Sequence, residues 1–477
     1  MKAPFSPYLL GIKDGLKTLI AALERDYDYV SALATDSKGL AVQISQHAKA
    51  VRNETMTTER GICLRVWKDG LYSEYALNSF DPAAPERTYE AVKAALDAQL
   101  CVLRAAGAQV YDTPVLADEP LTLFVEKETA QLPETTDVRA LVEKLTALSD
   151  RAMTLDKRMI EALASAQSTH ICKMFLTKNR DLCQSYVYSE GTVAAVVMED
   201  GRNQLDYAGV SGLCGPELFD QLADKVETVV ANAVELLSAG HIEPGEYEII
   251  TSPEVTGLIA HEAFGHGVEM DMFVKNRALG KEYIGKRVGS DICTMHEGAL
   301  CAEDVTSYAF DDEGTLAGDV TEIDHGILRA GICDALSALR LGTQPTGNGK
   351  RENFEHKVYT RMTNTVFDSG ESTLEEMIAS VRHGYLLENM ESGMEDPKHW
   401  GIQCIIKRGR EIRDGKLTGA VVAPIIMTGY VPDLLGSISM CSRDRAVFGN
   451  GGCGKGYKEW VKVADGGPYL KTKARLG

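Results

Sequence analysis

Tyr247 to Glu269 reads Tyr-Glu-Ile-Ile-Thr-Ser-Pro-Glu-Val-Thr-Gly-Leu-Ile-Ala-His-Glu-Ala-Phe-Gly-His-Gly-Val-Glu, and no other stretch of the chain constrains the fold so tightly. Tyr247–Thr251 has the β-branched character of a strand. Ser252 then supplies an N-cap, Pro253 the first helical position, and Glu254 an acidic first turn. Val255, Leu258 and Ile259 give the buried stripe, which leaves His261, Glu262 and His266 at the far end of the helix. These three spell His-Glu-x-x-x-His, one residue longer than His-Glu-x-x-His. On a regular helix, positions i and i+4 lie about 40° apart, but i and i+5 lie about 140° apart. Both imidazoles can face one ion only if the helix widens or ends, and Gly265 and Gly267 on either side of His266 offer the place for it.

Two histidines and an adjoining glutamate point to metal-assisted hydrolysis. A catalytic zinc takes three protein ligands and keeps one position open, so one ligand is still missing. Nearby candidates are Glu269, Asp271 and His296; distant ones are Cys453, His325, His356, His383 and His399. Cys453 stands out because Phe448-Gly-Asn-Gly-Gly-Cys-Gly-Lys-Gly-Tyr457 sets one thiol among five glycines, with Lys455 nearby to favour the thiolate. The same loop matches Gly-x-x-x-x-Gly-Lys. However, Gly456 stands where a phosphate loop needs Ser or Thr, and too little chain follows for a nucleotide fold. Gly347-Asn348-Gly349 could cradle a carboxylate through backbone amides, and Arg351 and Arg361 could hold a peptide terminus.

With 477 residues, the chain is expected to form more than one domain. The run Gly240-His-Ile-Glu-Pro-Gly245 places the boundary, giving an N-terminal domain over 1–240 and a strand-rich C-terminal domain over 241–477. The expected class is α+β. Helices are predicted from 11 to 24, from about Thr88 to Gly107, over 137–165, over Pro216–Ala239 and from a capping box at Ser372 to Glu375. Hairpins are predicted at Asp36–Gly39 and at Lys68–Gly70, and a meander over Thr169–Gly212 with a turn at Glu199–Arg202. Strands are expected at 402–412 and 418–428, and a turn at Asp324-His325-Gly326. A net charge of −19 argues against nucleic acid and anionic membranes as partners. Eleven cysteines without a Cys-x-x-Cys pair suit a reducing cytoplasm, and no run is long and apolar enough for a membrane span.

The block from Pro244 to Asp271 resembles the signature region of the TldD/PmbA family of peptidases. Thr346-Gly-Asn-Gly-Lys-Arg351, Arg361-Met-Thr-Asn364, Cys453-Gly-Lys455 and the run Gly467–Lys471 follow in the family's order. The resemblance is close over the C-terminal half and looser over the N-terminal half. It implies a TldD-type subunit that retains the metal motif, with His261, His266 and Cys453 holding zinc and Glu262 as catalytic base. The implied substrate is a peptide or unfolded segment. The implied partner is a PmbA/TldE-type paralogue lacking the motif, or a second copy of the chain. A different class of function, a modulator subunit with a purely structural metal, would call for a closed site with four protein ligands.

Overall fold

The computed structural model describes residues 1–107, 111–455 and 458–477, with the backbone alone at Lys458. Two sheets dominate, and the class is mixed α and β with the strands in the majority. The first has eight strands, all between Tyr29 and Gly212. At its centre Met159–Leu176 and Arg180–Glu199 run antiparallel over almost their whole length, and Tyr29–Ile44 lies beside the former. Leu121–Glu126 joins in parallel at one edge.

Helices Pro7–Leu23 and Pro85–Ala106 pack over one part of this sheet, and Val138–Leu155 and Val226–Leu236 over another. Pro7–Leu23 begins where the Ser6 hydroxyl accepts from the Leu9 amide, and it buries Leu9, Ile12, Leu16, Leu19, Ile20 and Leu23. That spacing is one continuous helical stripe, and burying it is the main source of the helix's stability.

Several elements differ from expectation. Tyr29–Ile44 is one uninterrupted strand, not a hairpin. Asp36 and Ser37 carry turn chemistry, yet their side chains bond Ser6, Arg60 and the Thr57 carbonyl, while their backbones pair on both sides. The helix predicted over 137–165 ends at Leu155, and Met159 starts a strand. Pro216–Lys225 is a 3₁₀ segment, with the α-helix confined to Val226–Leu236. The capping box sits one residue later, at Thr373 with Glu376. The turns at Asp69-Gly70, Asp200-Gly201 and His325-Gly326 are present, each with both residues at positive φ. The turns fall where Asp or His followed by Gly can adopt the left-handed region. The sequence reads the Pro-containing stretch 108–135 as an excursion crossing the domain, and its residues 108–110 lie outside the described residues.

The second sheet has eleven strands drawn from Gly245–Leu476. Five of them close into a ring: Gly245–Thr251, His383–Asp396, Gly401–Arg413, Ile425–Tyr430 and Ala464–Leu476, with the last pairing back onto the first. The sequence suggests the runs Ile402–Ile406 and Val421–Met427 as edges where a peptide could add as a strand, but Gly401–Arg413 is bonded along both sides, so Ile402–Ile406 has no free edge among the described residues. Val255, Leu258, Ile259, Ala263 and Phe264, from the segment after Thr251, are buried in one core with Leu387, Cys404, Ile406, Met427 and Leu470.

The two sheets meet in a smaller apolar cluster in which Ile171, Tyr186 and Tyr188 touch Val305, Tyr308 and Ala464. Around it are ion pairs of Arg65 with Glu313, Lys173 with Asp312 and Lys462 with Glu190. Among the described residues no helix is long and apolar enough to cross a membrane.

Candidate metal centre

The strand Gly245–Thr251 delivers the chain to Ser252, whose hydroxyl accepts from the Val255 amide at 3.4 Å, and Pro253 opens the helix Pro253–Leu258. From Ile259 to Gly265 the coil widens into a π-helical turn, and the His266 amide donates to the His261 carbonyl five residues back. Bonds of this kind stack residue i+5 over residue i. The imidazoles of His261 and His266 are therefore neighbours, with centroids 5.1 Å apart and planes at 85°. The widened turn ends on Gly265, the first of the two glycines. Gly265 is needed for close approach, since a Cβ there would run into Met362 Sδ.

Cys453 arrives from the ribbon Gly452–Lys455, which pairs with Lys458–Lys462. Its Sγ lies 3.3 Å from His266 Nε2, across 187 residues of sequence. One atom from each of His261, His266 and Cys453 lies within 4.8 Å of the other two. Burial alone would push the Cys453 thiol up, but the two imidazoles more than reverse this and hold it at about 4. Lys455 is not the cause, because its amine is taken by Asp271 at 2.6 Å, the Thr360 carbonyl at 3.1 Å and Glu269 at 3.2 Å.

Two nitrogens, one thiolate and a separation that ligand bonds of about 2.0–2.3 Å can span make a donor set suited to zinc. Among the described residues the buried Nδ1 of His261 has no hydrogen-bond partner, as expected where a group is kept for something other than the protein. Glu262 reaches within 3.8 Å of His266 Nε2, and burial raises its carboxyl pKa. The strand His383–Asp396 presses against it at Gly393, where an added Cβ would sit 2.6 Å from Glu262 Cγ.

Glu269, a candidate ligand by sequence, faces the other nitrogen of His266, with Oε2 3.2 Å from Nδ1. Although burial opposes it, Lys455, His266 and Arg361 keep this carboxyl well below the usual range. A carboxylate on Nδ1 fixes the tautomer and turns Nε2 toward the centre, the usual arrangement behind a metal-binding histidine. Asp271 is paired with Lys275 and Lys455, and His296 with Asp319 and Asp368. His325, His356, His383 and His399 have their own local partners away from the three donors.

The expected substrate-binding residues bond largely within the protein, although Nε of Arg351 and Nε of Arg361 have no hydrogen-bond partner among the described residues. Asn348 is fully buried and donates to Glu297 at 3.0 Å and the Arg361 carbonyl at 3.2 Å. The Gly349 amide, part of the expected cradle, donates to Asp311. Arg351 is paired with Glu74 and donates to the His356 carbonyl. Arg361 lies 3.4 Å from Glu269 and donates to the Cys453 carbonyl at 2.9 Å, fastening the ribbon that carries the thiolate. The phosphate-loop pattern is spent on packing: the Gly449 amide donates to Ser211, and Asn450 donates to the Gly191 and Val210 carbonyls.

Two buried acids near the centre carried no signal in the sequence, Glu395 and Asp465, which burial raises to about 8 and about 7. Both come from strands far along the chain, with no motif around them.

Residues 244–473 match the family model of the PmbA/TldA metallopeptidase C-terminal domain. A metalloprotease of Synechocystis is 26% identical over 473 residues, 98% of each chain. A metalloprotease of Methanocaldococcus jannaschii is 29% identical over 281 residues, 59% of this chain and 61% of its own. A zinc metalloprotease TldD homolog of Saccharolobus solfataricus is 29% identical over 292 residues, 60% of this chain and 62% of its own. The match thus spans less than two thirds of these last two relatives. TldE from Thermococcus kodakarensis has the same fold, with a TM-score of 0.75 at 17% identity over 97% of this chain and 100% of that one. A matching C-terminal domain and relatives named as metalloproteases lead to one conclusion: through residues 244–473 the chain belongs to the TldD/PmbA metallopeptidase family.

Proposed function

We propose that the chain is the metal-bearing, TldD-type member of the family, a zinc peptidase acting on peptides or unfolded segments. The observation that supports this most is the convergence of His261, His266 and Cys453 with a non-ligand carboxylate, Glu262, beside them. Zinc bound there supplies Lewis acidity, polarising the scissile carbonyl and acidifying a water. Glu262 takes the water's proton and returns it to the leaving amine. Glu269 holds His266 in the tautomer that presents Nε2, and Arg361 keeps the Cys453 backbone in place. The zinc assignment also draws on the relative from Saccharolobus solfataricus that is named for it.

On this reading residues 1–240 and 241–477 are two domains, and the N-terminal one walls the site. The partner is a motif-less paralogue of the TldE kind, or a second copy of the chain. The test is Glu262→Gln. The variant should keep its metal and its fold while peptide turnover falls by at least about 100-fold, the range for losing a general base. Near-normal turnover with metal retained would remove Glu262 as the base, while metal-loaded wild-type protein without peptide turnover would favour the structural-metal alternative.

A further inference from the structure

Between the two halves lies a cleft of about 740 Å³, a size that suits a small ligand or a peptide end. Its apolar wall is formed by Val102, Leu103, Val274 and Leu336. Every carboxylate lining it already has a partner. Glu74 and Glu313 are paired with Arg65; Asp271 is held by Lys275 at 3.0 Å and by Lys455 at 2.6 Å. Asp334 caps the helix Ala335–Leu341, accepting from the Leu336 and Ser337 amides.

Two cations lining the same cleft lack such a partner. Arg340 donates to the Thr113 hydroxyl at 2.8 Å and stacks on Tyr111, with no carboxylate in ion-pair range among the described residues. Lys357 has no hydrogen bond or ion pair among the described residues, and its amine only sits 5.6 Å from the Tyr359 ring. Burial and the neighbouring Arg340 both lower the Lys357 amine pKa, as expected of two like charges on one wall. In a chain of net charge −19, two cations that lie within the field of Glu74 and Asp334 but form no ion pair among the described residues leave hydrogen-bond donors in an apolar-walled cleft free for an anion. None of the three donors lines the cleft; the two sites are linked by its Asp271, which accepts from Lys455, two residues beyond Cys453.

We propose that this cleft binds the C-terminal end of a peptide, its carboxylate between Arg340 and Lys357 and its last side chains against the apolar wall. The proposal rests on the peptidase reading by naming the end of the substrate that is gripped. Its test reads binding, not turnover, so the two can fail separately. The probe is Ala-Leu-Leu-Phe with a free C-terminal carboxylate, titrated calorimetrically into full-length Glu262→Gln protein beside the same peptide as its C-terminal amide. The free acid should bind at least about tenfold more tightly, and Lys357→Gln should bring that ratio close to one. Arg340→Gln should do the same. Lys357→Gln is the decisive variant, since its side chain makes no bond that the fold needs. Equal binding of acid and amide, or a ratio that survives both substitutions in folded protein, would overturn the proposal. N-acetylphenylalanine binding as tightly as the tetrapeptide would also overturn it, by making the ligand a single carboxylate and not a peptide end.

Discussion

At the scale of single residues, the centre depends on contacts that leave no slack. Gly393 carries no chemistry, yet a methyl group there would press on Glu262 Cγ and move its carboxylate. Displacing a catalytic group by about 1 Å can cost about 100-fold in rate. Gly393→Ala should therefore lower turnover by about 10- to 100-fold while metal content, read by atomic emission, stays stoichiometric. Loss of metal in that variant would mean that the strand supports the ligands and not the base. Glu269→Gln attacks from the other side. It keeps the volume but weakens the acceptor on His266 Nδ1, so zinc affinity should fall by about 10- to 100-fold in a chelator competition. Cys453→Ala leaves two nitrogens and should bind zinc weakly. A stoichiometric, tightly held ion in Cys453→Ala would reassign the third ligand.

At the scale of elements, much of the chain could be read in advance, for physical reasons. Strands with caps and Asx-Gly turns, such as those at Asp69-Gly70 and Asp200-Gly201, are specified locally, and so is the start of the helix at Ser252 and Pro253. What could not be read depends on distant partners. Asp36-Ser-Lys-Gly39 has turn composition, but Arg60 and the strands on both sides hold it extended. Nor could the π-helical turn be assigned: the His spacing showed that something must give, while the position of the widening depends on packing against Met362 and the strand at Gly393. Likewise Glu269 was legible as an acid near the site, but its place behind His266 depends on Lys455 and Arg361 from far along the chain.

The 3₁₀ turn Pro133–Thr135 offers a test at this level. Glu134 on it lies 2.7 Å from Nδ1 of His170, a buried histidine in the central strand. Burial pushes the imidazole pKa down, but Cys172 and Glu134 outweigh it and raise it to about 9. A folded pKa above the unfolded value of about 6.5 means that the stabilisation is complete below that pH and is lost as pH rises through about 9. Urea denaturation should accordingly find His170→Gln further below wild type at pH 6 than at pH 10. An equal gap at both pH values would show that His170 acts only by packing.

At the scale of the whole molecule, access decides which substrates can be cut. His261 is only 3% exposed, and the centre sits behind the ribbon Gly452–Lys455. A folded protein cannot bring its backbone to such a position without local unfolding, so disordered peptides should be cleaved while stable globular substrates resist. Time courses with casein and with a disulfide-intact globular protein would compare the two. Equal rates would end the restricted-access reading. Pairing with a motif-less paralogue should raise activity above that of the isolated chain, measured at matched metal occupancy.

The closed ring of the second sheet also sets the order of events during synthesis. Its seam joins Gly245–Thr251 to the segment Leu470–Leu476, and the first of these strands leads directly into the histidine-bearing helix. Pairing over so long a sequence interval is among the slowest steps of folding, because the loop must close before any contact repays it. While residues beyond Cys453 are still inside the ribosome, the seam is open and the three donors cannot be locked together. Until Leu470–Leu476 has emerged, a nascent chain therefore has no finished centre.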